Sequence, residues 1–208
     1  AIVVCQEEAI DAMSDAQLIV DVLTGRFASS DEENIAAAGA PLLAADHPQI
    51  PLFMSSDDLL WANASPAPRF GQGAFREMLG STFESVTGKE LQVTMYGKPR
   101  RVAYSYAREV LRGEARRLGW DSDAMRTVCM VGDNLESDIQ GANAMGAPWL
   151  SVHVLSGIGH APSAVRSVAP GDGEAEWLLN NVPPTPHYVA PTLDHFVREA
   201  EHFGEAAV

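Results

Sequence analysis

Thr127-Val128-Cys129-Met130-Val131-Gly132-Asp133-Asn134-Leu135-Glu136-Ser137-Asp138 is the stretch whose reading decides the fold. Its first five residues are apolar and partly β-branched and stop at Gly-Asp, which predicts a buried parallel strand with Asp133 at its carboxyl end. Open α/β sheets gather their ligands at such strand ends. Beyond the loop, Ser137 and Asp138 precede Ile139, Ala142, Ala144 and Met145, the pattern of a capped helix packed on a sheet. Asp133 is thereby suited to a hard divalent cation such as Mg²⁺, which takes few protein carboxylates, and Asp138 to orienting that ligand. Taken alone, the same two carboxylates would serve equally well as helix caps.

Working upstream, Leu91-Gln92-Val93-Thr94-Met95-Tyr96 alternates like a strand and leads into Gly97-Lys98-Pro99. Pro99 fits the first turn of a helix continuing through Tyr104, Ala107, Val110 and Leu111. A Lys at a helix entrance is electrostatically odd, because helix N-termini favour anions. A phosphate at Lys98 resolves the oddity: opposite charges about 4 Å apart gain roughly 4 kcal/mol at an effective dielectric near 20. A solvated surface Lys is the plain alternative, and the company of Asp133 counts against it.

With these residues in view, the chain resembles a known family. Tyr96-Gly97-Lys98-Pro99 and Val131-Gly132-Asp133-Asn134-Leu135-Glu136-Ser137-Asp138-Ile139-Gln140-Gly141-Ala142 resemble the third and fourth motifs of haloacid dehalogenase (HAD) superfamily phosphatases, subclass IIA. Ser56-Asp57-Asp58-Leu59-Leu60-Trp61-Ala62, Pro68-Arg69-Phe70-Gly71-Gln72-Gly73-Ala74-Phe75 and Thr87-Gly88-Lys89-Glu90 point within it to the cat-eye-syndrome-region type. The resemblance covers roughly residues 1 to 160. It implies an α/β fold in which a Rossmann-like core carries a C2-type α/β cap, with residues 1–95 as cap and 96–208 as the carboxyl-terminal half of the core. It further implies Lys98 as the catalytic phosphoryl-neutralising cation, Asp133 and Asp138 at a Mg²⁺ site, and Arg69, Gly71, Gln72, Gly132 and Asn134 around the substrate.

The chain departs from that pattern at the nucleophile. Family members form a phosphoaspartate on an Asp-x-Asp motif near the amino terminus, whereas the only Asp-x-Asp here, Asp121-Ser122-Asp123, follows Gly119-Trp120 in an apparent turn. The opening strand Ala1-Ile2-Val3-Val4 runs into Cys5-Gln6-Glu7-Glu8, and with the helix from Asp15 to Leu23 it resembles the start of the cap. In the family the nucleophile strand lies beside the strand that is Thr127 to Val131 here. Its loss predicts an apolar strand with an unpaired edge, which invites pairing or aggregation. The expectation is a half-core covered by an upstream segment or another chain, within a larger protein or a multi-subunit complex. Two functions follow: part of a Mg²⁺-dependent phosphatase that is inactive alone, or a noncatalytic HAD-like structural subunit.

Composition bounds the rest. With 208 residues, 46% hydrophobic and 20% charged, the chain suits one sizeable core or two small ones. A net charge of −14 disfavours nucleic acid or an anionic membrane surface as a direct partner. No apolar run approaches the roughly 20 residues that span a bilayer. Cys5 and Cys129 both fall in predicted buried strands and read as core thiols of a reducing intracellular compartment, and the resemblance adds mitochondria as a location.

Elsewhere, a strand is expected around Pro51 to Ser55, helices from about Gly73 to Thr87 and Val102 to Leu118, and a strand from Trp149 to Val154. A Pro/Gly-rich tail from Gly159 to Pro186 carries a short helical pattern at Glu174 to Asn180 and wraps a surface. Tyr188 to Pro191 then reads as a strand, and Thr192 as N-cap of a last amphipathic helix. Gly71 and Gly73 allow close backbone approach to a ligand, with Arg69 and Gln72 beside it; a turn into a helix, with Arg69 solvated, reads equally well. The histidines lack ligand spacing, although His160 lies near the proposed site, and the four Trp residues read as packing residues.

Overall fold

The structure, a computed structural model, describes residues 1–5, 11–25, 49–158 and 173–205; the loop expected from Ala28 to Gly39, and His160, lie outside them. It is an α/β protein with two separate three-stranded parallel sheets. The first is built from β1 (Ile2–Val4), α1 (Ala12–Thr24), β2 (Leu52–Met54), a short antiparallel pair β3 (Leu60–Trp61) and β4 (Arg69–Phe70), α2 (Gln72–Thr87) and β5 (Thr94–Met95). Its strand order is β1-β2-β5. Parallel neighbours need crossovers, and α1 and α2 occur in the two that this order requires.

Spacing explains the core. On α1, Ala16, Ile19, Val20 and Leu23 recur at helical period and are all buried; on α2, Phe75, Leu79 and Phe83 do the same. They close over Leu52, Met54 and Met95 from the strands. Asp11 caps α1 by accepting from Ser14 N at 3.3 Å. Gly25 and Gly88 end the two helices at φ 72° and 68°, a conformation that glycine adopts without strain.

The second sheet follows α3 (Arg101–Arg117) and comprises β6 (Val128–Gly132), a π-helical turn (Leu135–Ile139) running into α4 (Gln140–Met145), β7 (Trp149–Val154), α5 (Gly173–Asn181), β8 (Tyr188–Ala190) and α6 (Leu193–Glu205). Its order is β6-β7-β8, so β6 lies at an edge among the described strands. Val128↔Trp149 through Gly132↔His153 set the register and carry Gly132 and His153 to the same carboxyl end. Tyr104, Val128, Ala142 and Trp149 form the adjoining core, with the two rings edge-on at 5.2 Å between centroids. Residues 159–172 of the expected tail lie outside the described residues; beyond them, Asn143 Nδ2 donates to the carbonyls of Pro183 and Thr185, and Leu178 is buried. Thr192 Oγ1 accepts from His195 N at 3.2 Å, as an N-cap does.

Several expectations need correction. The strand read over Leu91 to Tyr96 shrinks to Thr94–Met95, because β2 offers it only two register partners. The helix after Lys98 starts at Arg101, not Pro99. Neither Ser137 nor Asp138 caps the helix after β6; Asn134 does, its side-chain oxygen accepting from Glu136 N and Ser137 N. Cys5 and Cys129 are exposed, not core thiols: Cys5 lies past the end of β1, and Cys129 lies on β6, at an edge among the described strands. Trp149 packs as expected, but Trp120 and Trp177 are exposed. Val110 and Leu111 are exposed with Val102 and Tyr106, leaving Tyr104 as the one buried residue of α3.

Candidate functional site

Lys98 follows β5 of the first sheet, and Asp133 and Asp138 follow β6 of the second; the fold brings these ends together. Lys98 Nζ lies 2.6 Å from Asp138 Oδ1 and 3.6 Å from Asp58 Oδ2. Burial pulls the Lys98 pKa down, but the carboxylates of Asp138, Asp58 and Asp133 outweigh it and hold the group above its ordinary value, as a cation.

Asp138 is 2% exposed and fully engaged. Its Oδ1 takes Lys98, and its Oδ2 accepts from Asn134 N at 3.1 Å. The π-helical turn presents it: Asp138 N and Ile139 N both donate to Asn134 O, at 2.9 and 3.3 Å. Tyr104 Oη holds the turn from below by donating to the carbonyls of Ser137 and Asp138, at 2.8 and 2.9 Å. Burial, then the charges of Asp138 and Asp58, push that phenol pKa upward, so it remains a donor. Gly132 makes the arrangement possible, since a Cβ there would sit 2.2 Å from the Asp138 carboxylate.

Asp133 stands at the end of β6, where its Oδ2 accepts from Ile158 N at 2.8 Å and its carbonyl oxygen meets His153 Nε2 at 3.3 Å. The two acids therefore differ as candidate metal ligands. Asp133 keeps its other carboxylate oxygen and fits as one oxygen ligand of a hard cation. Asp138 does not fit, because a lysine ammonium occupies the place a cation would take. Among the described residues no cluster of three His, Cys, Asp or Glu side chains could hold a metal ion. Phosphate and water can supply further oxygen ligands.

The remaining expected residues divide. Asn134 joins the site: besides capping the turn, its Nδ2 donates to Asp58 Oδ1 at 3.0 Å. Gly132 faces the Asp138 carboxylate and not open space. Gly71 and Gly73 do make close backbone approaches, but to their own chain, with added Cβ atoms 2.5 Å from Asp58 O and 2.4 Å from Asp57 O. Gln72 is buried, its Oε1 accepting from Ser55 N and Ser56 N at 2.9 and 2.7 Å. That side chain clamps a loop and points away from solvent. Arg69 is exposed on β4, as the solvated reading had it. Asp121 and Asp123 are exposed in a turn, where Asp121 Oδ1 accepts from Asp123 N and Asp123 pairs with Arg112.

Sequence reasoning missed Asp57 and Asp58 as site-building residues. Asp57 Oδ1 pairs with Arg76 Nε at 3.0 Å and its Oδ2 with Arg100 Nη2 at 2.8 Å, all three side chains under a tenth exposed. Asp58 reaches Lys98 and Asn134 from the same loop. Two adjacent acids after a strand, with an Arg just beyond Lys98, were the available signal; the partners lie 43 and 76 residues away in sequence.

Residues 95–196 match the HAD-hydrolase-like family model. Over these residues, just under half of its length, the chain is HAD-hydrolase-like. A cardiolipin synthase (CMP-forming)/mitochondrial hydrolase fusion protein of Schizosaccharomyces pombe is 45% identical over 107 residues, 51% of this chain and 18% of its own length. A mitochondrial hydrolase of Saccharomyces cerevisiae is 36% identical over 128 residues, 53% of this chain and 36% of its own length. The chain thus spans well under two thirds of either relative. A possible sugar phosphatase of the HAD superfamily from Cytophaga hutchinsonii has a solved structure that superposes with a TM-score of 0.45 at 16% identity, over 92% of this chain and 52% of that one.

Proposed function

We propose that this chain is the cap, residues 1–95, and the carboxyl-terminal half-core, residues 96–208, of a HAD-type phosphatase. The observation that carries the reading is Lys98: a half-buried cation at a strand end, steadied by Asp138 and within reach of Asp58, beside the carboxylate that closes β6. Lys98 binds and neutralises phosphoryl oxygens, Asp138 keeps it charged and pointed, and Asn134 offers an amide donor. Asp133 would hold Mg²⁺, which when bound adds positive charge at the same oxygens. Fixed charges of this kind stabilise a transition state but provide no covalent acceptor. The nucleophile comes from polypeptide beside β6, in the same protein or another chain. The place of β6 at an edge among the described strands supports that arrangement, and the names of the two yeast relatives support a mitochondrial location.

The test is hydrolysis of a generic aryl phosphate with Mg²⁺ by the full-length protein and by residues 1–208 alone. The expected outcome is activity only in the former, falling at least about a hundredfold in Lys98→Ala, as for loss of an electrostatic stabiliser. A folded full-length protein without activity would favour the noncatalytic reading. That reading draws on one observation, that Lys98 and Asn134 already hold carboxylates of their own chain.

A further inference from the structure

The Asp57-Asp58 dipeptide spans the two sheets in an unequal way. Its backbone is fixed: Gly73 N donates to Asp58 O at 3.0 Å, Gly71 N to Leu59 O at 2.9 Å, and Gln72 Oε1 gathers Ser55 N and Ser56 N. Asp57 is fixed as well, clasped between Arg76 of α2 and Arg100 at the entrance of α3. Arg100 also donates to Gly97 O at 3.3 Å, which ties the clasp to the loop carrying Lys98. A buried pair of this geometry resists separation, because parting it leaves an uncompensated charge.

Asp58 is held differently. Its side chain is 21% exposed, and it reaches Asn134 Nδ2 at 3.0 Å and Lys98 Nζ at 3.6 Å. Those are the two donors, one charged and one neutral, that a phosphate at Lys98 would use. A carboxylate offers them the same chemistry, negatively charged oxygen at hydrogen-bond range.

We infer that Asp58 determines which ligands enter this site by competing with them: its carboxylate takes the contacts of a phosphate at Lys98 and Asn134 and must be exchanged for the incoming anion. Because the backbone and Asp57 are fixed, one side chain turns away for each anion admitted. A neutral or weakly charged ligand cannot drive that exchange, since it gains less at Lys98 than Asp58 gives up. A phosphate carrying more charge than one carboxylate can. The inference rests on the phosphate reading of Lys98 and adds to it a selectivity set by the other sheet.

The experiment is calorimetric titration of inorganic phosphate into the full-length protein at fixed ionic strength. It uses wild type, Asp58→Asn, Asp58→Ala and Lys98→Ala, each checked for a native unfolding transition. Asp58→Asn keeps shape and removes the competing charge, so phosphate should bind about tenfold more tightly, with Asp58→Ala in the same direction. Lys98→Ala should abolish binding. Unchanged or weaker phosphate binding in both Asp58 variants, with Lys98→Ala still defective, would overturn the competition and leave the phosphate reading standing. Phosphate binding that survives Lys98→Ala would remove that reading and the inference together. Absence of binding in wild type and in both Asp58 variants would also overturn the inference.

Discussion

At Gly132 one hydrogen atom decides the site. A methyl there would lie 2.2 Å from the carboxylate of Asp138 and 2.4 Å from its Cβ, in a side chain held by Lys98 and Asn134. Gly132→Ala should therefore destabilise the protein by about 1–3 kcal/mol, the usual cost of overpacking, and detach Asp138 from Lys98. Chemical denaturation checks the first effect and phosphate titration the second. Lys98 supports a prediction in pH. Its folded pKa is raised above the ordinary 10.5, so its stabilising contribution is complete below that value and is lost as pH climbs through the higher folded pKa. The stability difference between wild type and Lys98→Met should then stay flat from neutral pH to about pH 9 and shrink only above about pH 10.5. A difference that already declines near pH 8 would show that the three carboxylates do not hold the proton.

At the scale of elements, the entrance of α3 matters most. Its cap residue Arg100 makes no side-chain cap bond to the helix and reaches back to Asp57, while Glu174 Oε1 of α5 accepts from Arg101 N at 3.0 Å. The helix N-terminus is thus served by an acid from the tail, as its dipole favours. Asp57→Ala would leave Arg76 and Arg100 buried without the carboxylate between them. The expected loss is about 3–5 kcal/mol, far above the median for a surface pair, and equilibrium unfolding in urea measures it. The π-helical turn is the other element that sequence pattern could not supply. Ser137 and Asp138 have the composition of caps, but Asn134 takes that role and leaves Asp138 free to face Lys98.

For the molecule as a whole, the edge of the second sheet matters most. Strand β6 has one described neighbour, and Cys129 faces outward from it. Helix α3 exposes Val102, Tyr106 and Val110, which share one face at i, i+4 and i+8. A strand at the edge of the described sheet and an exposed apolar stripe are each surfaces for pairing. Residues 1–208 expressed alone should self-associate with rising concentration, and Tyr106→Lys should reduce that association. Light scattering across a concentration series would show it, and a monodisperse, cooperatively unfolding monomer would contradict it.

The sequence by itself determined the elements and the chemistry of their ends. Periodic apolar residues place α1, α2 and β7, and Gly-Asp after an apolar run places Asp133, because these signals act between residues a few positions apart. Likewise, Gly-Lys-Pro after a strand pattern places Lys98 just beyond β5. Only the tertiary structure decided which side chains meet. That Asp138 pairs with Lys98, that Gln72 clamps a loop, and that Asp58 crosses to Asn134 are contacts spanning 40, 16 and 76 residues. No local pattern encodes such distances: ion pairing depends on separation in space, and packing two sheets together sets that separation.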